Sequence, residues 1–565
     1  MKPFHCSLFI VHFIIWIQSF GEMGATELCE RMYVQTDKQL YLAGEQIHMK
    51  LLTLDREQKP LVFSKIAYVE LVGDSVARVQ VKVAISDGIG EGRISLPVNL
   101  PTGYYRLIAY TQYMRNEGAE IFFEKIIGVI NTFRSDYEYQ EMRTGSLHTQ
   151  YEIQEMRTGR PRTQNFQLST LKPVYSTREH GELILSGLPE TVYSLSVSIA
   201  GKEMIDTPPS MQKKQPVESS LVNGEYLPEY EGHIITGTLI NNQTGKAEQG
   251  DDLKVSALSF PGKGINFFTG EKNEEGEIRF FTSGNYETKQ VATIVYYEGE
   301  KYRIDLNSPF VTNFATEPMP DLYIDSAFYD QLLERSVALQ ATHYFLPDSI
   351  VNQNRSEPFY QIKPSNSYLL DEYTRFTTMR EVFIEFISSA RFRRREGRQE
   401  LSVVIRSGDN FYYGSNPLVF LDGAPISNHE LIYNYDPLLV EYINIYNYLC
   451  ILGGNTFEGI VELKTYRGLI QDVVFDKSTQ IIPYEGPQMV EKFLSPDYSI
   501  DTNRNSRIPD GRHTLLWNHD LRSEGHSTLR LPFDTSDLTG DFQATVEGIT
   551  KEGEIFSTTC FFKVE

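Results

Sequence analysis

The side chains best able to make or break bonds are scattered along this chain, and none falls into a spacing that a familiar reaction needs. His429-Glu430 starts like a helical zinc-hydrolase motif, but the second histidine is missing. His513, His519 and His526 are separated by six and seven residues, which suits no standard ligand set. His233 and His343 stand apart from them. Ser415 lies near Asp409 with no activating base beside it in the sequence. Neither a Gly-x-Ser-x-Gly elbow nor a phosphate-cradling glycine loop occurs. Of the cysteines, Cys6 falls in the export signal read below, which leaves Cys29, Cys450 and Cys560. An odd number cannot fully pair, and their spacing fits no metal site, so buried free thiols are expected, with one disulfide as the alternative. Thr26-Glu27-Leu28 lacks the small residues that precede a lipid-modified cysteine. The expectation is a protein that is not an enzyme and carries no catalytic residue, metal or cofactor.

Recognition is better supplied. The loop Asn410–Asn416 carries Phe411, Tyr412 and Tyr413, and aromatic rings on a loop combine apolar area with polar tips. Pro417–Ile426 is a short apolar strand ending at Asp422-Gly423, a dipeptide suited to the positive φ angles of a tight hairpin. Downstream, Gly453-Gly454 offers backbone conformations closed to larger residues and leads through Gly459 into a strand ending at Thr465. Phe411, Tyr412, Tyr413, Asp422, Gly423, Gly453 and Gly454 are the candidate binding residues. For Asp422, Gly423 and the glycine pair, turn geometry is the first explanation.

These residues need a scaffold, and the composition says what kind. With 565 residues the chain exceeds one core and suggests roughly three to five domains. Tyr and Phe are abundant, 34 and 33 against 2 Trp, which favours strands over helices. A net charge of −22 excludes the broad basic face that nucleic acid requires. Lys2 followed by the apolar run Leu8–Phe20 reads as a cleaved export signal rather than a membrane tether.

Strand and turn signals recur from Glu30 to Tyr110, and again over Phe166–Met204, Tyr230–Phe281 and Pro509–Val564. Ser326–Thr342 and Thr377–Arg394 carry the best helical spacing, the second through Met379, Val382, Phe383, Phe386 and Ile387. Arg391-Phe-Arg-Arg-Arg395, with Arg398 nearby, reads first as a solvated basic helix end, the alternative being contact with an anionic surface or a partner. Residues 137–164 hold a tandem 14-residue duplication, polar and without an apolar face, as in an exposed linker.

Three resemblances follow from these motifs. Thr36-Asp-Lys38, Tyr41 and Gly44-Glu45 resemble the opening of macroglobulin-type domains of the second kind, although the Cys-Gly-Glu-Gln thioester of large macroglobulins is nowhere in the chain. Asp422-Gly-Ala-Pro-Ile426 and the later Gly453-Gly454 and Gly459-Ile-Val461 resemble the plug domain of TonB-dependent receptors, without the receptor barrel. The combination resembles exported Bacteroidota proteins. The implied fold is mainly β and multidomain: several macroglobulin/immunoglobulin-like β-sandwiches plus one small α+β plug-like domain. The expected divisions are a signal at 1–25, a macroglobulin-type sandwich at 28–131, a linker at 132–165 and a second sandwich-like segment at 166–207. A regulatory-like sandwich at 228–310, a connector at 311–370, the plug-like domain at 371–470 and a terminal sandwich segment at 505–565 complete the order.

The implied function is docking of an envelope protein, peripheral to the membrane in the periplasm or at the outer membrane, to an outer-membrane protein partner such as a TonB-dependent transporter. The alternatives are a binder of peptide or glycan nutrient that delivers cargo to such a transporter, and a macroglobulin-like protease inhibitor lacking the thioester.

Overall fold

Strand-forming residues at a period of two dominate the chain, and the computed structural model is accordingly mostly β. It describes residues 29–133, 166–188, 192–201, 226–248, 256–312, 329–345, 363–468, 479–489, 493–521 and 528–565, with short gaps at 263–264, 273–276, 285–286, 297–300, 313, 408–409 and 453–454 and isolated positions at 314, 319, 322, 473 and 475. The expected export signal, the duplication at 137–164 and the pair Gly453-Gly454 lie outside the described residues.

The first sandwich is a run of eight strands, in the hydrogen-bonded order 31–36, 46–54, 89–95, 76–86, 66–73, 103–110, 123–130, 40–42. Its ends face one another across a core that includes Tyr41, Leu51, Tyr68, Val83, Leu107, Tyr110 and Ile127. The second sandwich is built from both sides of the chain. Val192–Gly201 pairs with Gly540–Thr550 and Thr514–Asn518, and His180–Ser186 pairs with Thr528–Asp534. Leu183, Leu195 and Val197 share one core with Leu515, Phe533, Phe542 and Val564. The segments 166–207 and 505–565, expected as separate units, therefore complete a single fold.

The third sandwich repeats this device. Its strands between Ile234 and Leu306 are completed by Thr479–Pro483, which pairs antiparallel with Gln290–Val295. Between these parts of the third sandwich sits an α+β domain, so the chain is nested: α+β domain within the third sandwich, and both within the second.

The α+β domain has a mixed five-stranded sheet, ordered 366–369, 440–452, 455–465, 418–421, 424–426. Leu418–Leu421 is buried throughout and pairs parallel with Ile460–Leu463, as suits a strand covered on both faces. One face packs on Met379, Val382, Phe383, Leu401, Val403 and Ile405 of the same domain. The other packs on the third sandwich, where Phe420, Tyr446 and Phe457 meet Phe267, Ile294 and Tyr296.

The helix expected over Thr377–Arg394 is shorter. Thr378 caps it with a reciprocal capping box to Glu381, and it runs only over Met379–Glu385. Beyond Ile387 the apolar spacing changes to two, and Ala390–Arg395 is a strand paired with Arg398–Ser407. Glu396 and Gly397, with φ of 48° and 87°, form the tight turn between them. Tyr329–Phe345, expected over Ser326–Thr342, is a helix whose Leu332 packs on Leu40, Leu42 and Ile130 of the first sandwich.

Candidate functional site

Most of the residues singled out for chemistry are engaged in local structural contacts, and His519 in one between domains. His429 Nδ1 accepts the backbone N–H of Leu401 (3.1 Å), and Glu430 receives that of Gln399. Burial pushes His429 down to about 4, consistent with a ring nitrogen that must stay unprotonated to accept. His519 faces Glu91 at 2.9 Å, and His513 is packed beside Gly201 in the second sandwich. Burial, reinforced by Arg335 and Lys38, holds His513 well below the usual imidazole range. His526 and Asp409 lie outside the described residues, and Ser415 serves Glu458. Among the described residues no disulfide links Cys29, Cys450 and Cys560; Cys29 is buried, the other two are half-buried rather than buried as expected, and burial pushes Cys560 up to about 11. Among the described residues one trio, His180, Asp497 and Asp534, brings potential metal-ligand atoms within 4.8 Å. Those groups are engaged in hydrogen bonds with one another, Tyr498 and Ser499.

The macroglobulin-like motif forms a charged node where the first sandwich, the second sandwich and the Tyr329–Phe345 helix meet. Asp37 accepts from the Tyr41 hydroxyl (2.6 Å), the His48 backbone (3.1 Å) and, on its other oxygen, the Thr514 hydroxyl (2.7 Å). Arg335 donates to both oxygens of Glu45, at 2.7 and 2.6 Å, and Lys38 stands 3.3 Å from the same carboxylate. Burial alone would raise the Glu45 carboxyl, but Arg335 and Lys38 outweigh it and hold the group far below the usual range. Sequence reading found Asp37, Lys38, Tyr41 and Glu45 but not Arg335 or Thr514.

A second buried node joins the first and third sandwiches. The Tyr68 hydroxyl donates to Glu229 (2.9 Å), and His233 bridges Glu229 (2.7 Å) and Tyr484. Lys82 lies over the Tyr484 ring at 3.9 Å, and burial brings its amine down to about 8. Beside the node the backbone of Gln488 bonds to Lys82 and Ala84, extending the join as a strand-like bridge.

The turn at Asp422-Gly423 has φ of 49° and 82°, as the dipeptide implied. Asp422 accepts from the Thr465 backbone (2.8 Å) and hydroxyl (2.6 Å), while Gly262 and Ser259 of the third sandwich donate to the carbonyls of Asp422 and Gly423. Both residues thus sit in the join between domains rather than on a recognition surface, and Asp422 is only 5% exposed.

The aromatic trio is the part that remains outside. Phe411, Tyr412 and Tyr413 belong to the strand Asn410–Tyr413, paired with Arg398–Ser407, rather than to a loop. Register divides them. Tyr413 opposite Val404 and Phe411 opposite Arg406 share the outer face of this three-stranded sheet, while Tyr412 stands opposite inward-facing Ile405, near Glu458. On the outer face the Arg391 and Arg393 guanidiniums stack over the Tyr413 ring, at 3.5 and 4.3 Å. The arginines lie on a strand and not at the expected helix end; their alternation with Ala390 and Phe392 and the Glu396-Gly397 turn are the signals of a hairpin.

With this geometry in view, residues 31–124 match the MG2 domain, so the first sandwich is a macroglobulin-type domain. No curated protein matches the chain. Among solved structures, Salmonella alpha-2-macroglobulin reacted with methylamine aligns at 8% identity over 95% of this chain and 39% of its own, with a TM-score of 0.25. Trypsin-activated alpha-2-macroglobulin from Escherichia coli aligns at 10% over 96% and 42%, with a TM-score of 0.23. An Escherichia coli adhesin aligns at 11% over 49% and 64%, with a TM-score of 0.15. The chain thus spans about two fifths of the length of those macroglobulins. Among the described residues, no helix is long and apolar enough to cross a membrane.

Proposed function

We propose that this chain is a non-enzymatic scaffold of the bacterial envelope that docks to an outer-membrane protein partner through its plug-like α+β domain. The observation that carries the reading is the contrast between buried and exposed chemistry. The two buried charge nodes and the Asp422-Gly423 turn are occupied in joining domains, while the α+β domain turns Phe411 and Ile451, 67% and 73% exposed, to solvent together with its arginine sheet. Shared apolar packing with the third sandwich gives that domain a rigid mount.

The test is site-directed photocrosslinking in intact envelopes. A photoreactive residue at Phe411, Ile384 or Ile451 of the α+β domain is expected to capture one outer-membrane protein, and the same residue at exposed Phe561 of the second sandwich is not. Capture only from Phe561, or from none of these positions, would sink the reading.

A second reading, a macroglobulin-like protease inhibitor without the thioester, is favoured by the MG2 match. It requires cleavage within 137–164 to inhibit the attacking protease. A protease that cuts there and keeps full activity toward protein substrates removes it.

A further inference from the structure

We propose that the outer face of the Ala390–Tyr413 sheet receives an extended, carboxylate-rich segment of a partner polypeptide. The inference rests on the docking reading above and names the chemistry of the partner. Pairing of Arg391 with Ser402, Arg393 with Glu400, Arg395 with Arg398 and Arg406 with Phe411 places five arginines on one face. The opposite face carries Leu401, Val403 and Ile405, all buried in the domain core. Arg391, Arg393, Arg395 and Arg398 are exposed and, among the described residues, make no ion pair. Glu400 is the sole acid at these paired positions.

Such a concentration of positive charge is a local exception on a chain of net charge −22. It acts within a Debye length of roughly 8 Å at physiological salt, close enough to select one segment of a partner. The cationic residues are all arginine, whose planar fork holds a carboxylate with two parallel hydrogen bonds. Stacking on Tyr413 orients Arg391 and Arg393 before a partner arrives, which lowers the ordering cost of binding. Alternate residues of a strand are roughly 6.8 Å apart, so Arg391, Arg393 and Arg395 repeat at the pitch of every second side chain in an extended peptide. An acidic bilayer also presents anions, but mobile headgroups have no use for this pitch. A broad anionic surface would also repel the acidic body of the protein.

The test measures fluorescence anisotropy of the full chain with a fluorescein-labelled ten-residue peptide of alternating Glu and Thr. A peptide of the same sequence with its glutamates replaced by Gln, and phosphatidylglycerol vesicles, serve as comparisons. The alternating acid peptide should bind, and the Gln peptide should bind at least tenfold more weakly. The Arg391→Glu/Arg393→Glu/Arg395→Glu variant should lose at least tenfold in affinity, and the corresponding triple Lys variant several-fold, because charge is kept and the planar fork is lost. The Lys variant provides the comparison if charge reversal prevents folding. Equal peptide affinity in the wild type and both variants overturns the inference. So does arginine-dependent binding to vesicles without binding to the peptide. Crosslinks from Phe411 that persist in the triple Glu variant leave docking intact and reject the acidic partner; absence of crosslinks in the wild type rejects docking itself.

Discussion

Removing Arg335 tests whether the macroglobulin-like motif clamps the Tyr329–Phe345 helix to the first sandwich at the node that also meets the second. Arg335 and Glu45 are each less than a tenth exposed and share two hydrogen bonds of 2.7 and 2.6 Å. Breaking a buried pair from one side costs about 3–5 kcal/mol, because the remaining charge is stranded. Lys38, 3.3 Å from Glu45, still offsets part of that charge, so the lower end, about 3 kcal/mol, is expected for Arg335→Met. That is about a hundredfold in the folding equilibrium and a urea midpoint lowered by roughly 1–3 M. Trp517 is a built-in reporter: it is one of 2 tryptophans, is buried, and donates to Glu91 across the join at 3.1 Å. Its emission should shift red at the lower urea concentration. Glu45→Gln/Arg335→Met removes both charges and should recover part of the loss, so that the double variant is more stable than the sum of the single effects implies. A single variant indistinguishable from wild type, or strictly additive losses in the cycle, would refute the node as the clamp.

Three further outcomes follow from the same geometry. His429 sits near 4 in the fold against roughly 6.5 when unfolded, so between these values the unfolded chain holds the extra proton. Its contribution is complete above about 6.5 and lost as pH falls toward 4, by at most about 3 kcal/mol. His429→Asn keeps an acceptor for Leu401 and should flatten the urea midpoint against pH in that window; an unchanged slope counts against it. Asp422→Ala removes both hydrogen bonds to Thr465 and should cost about 2–4 kcal/mol, with faster amide exchange at Thr465; unaltered exchange would show that the turn holds without the carboxylate. A site-specific protease sequence inserted between Gln150 and Tyr151 and then cut should leave both fragments co-eluting, because the joins are non-covalent and extensive; separation on a sizing column would reject a rigid scaffold.

Local chemistry was legible where neighbours in sequence decide the geometry. Asp422-Gly423 announces a positive-φ turn, and that turn is present. The strands of all three sandwiches show in their apolar alternation, but alternation does not name a partner. His180–Ser186 pairs with a strand about 350 residues further on, and no signal local to either segment marks that union. Arg335 and Thr514 were invisible for the same reason, reaching Glu45 and Asp37 across 290 and 477 residues. The basic run was misread because Met379 to Ile387 sets a helical period that stops just before it. Once Ala390 and Phe392 are seen to alternate, the arginines move from a helix end to the face of a sheet.

The nesting bears on what the charge nodes are for. A polar join is not a strong one by right, since water solvates separated ions well and the Coulombic gain of burying them is largely offset by desolvation. What Asp37, Glu45, Lys38 and Arg335 supply is direction: the Thr514 hydroxyl bond to Asp37 orients the first sandwich against the second, and the bidentate Arg335–Glu45 contact orients the Tyr329–Phe345 helix against the first. The apolar joins are less selective, because shape alone tolerates sliding, yet the α+β domain is held on the third sandwich chiefly by such packing around Phe420 and Phe457. There the direction comes from chain connectivity and from Asp422-Gly423. The domain is tethered at both ends, and its turn carbonyls receive Gly262 and Ser259. Each join therefore combines a source of affinity with a separate source of register. The arginine face is thereby linked to the macroglobulin-type domain through two joins in series, the packing around Phe420 and Phe457 on the third sandwich and the Tyr68–Glu229–His233 node between the third sandwich and the first.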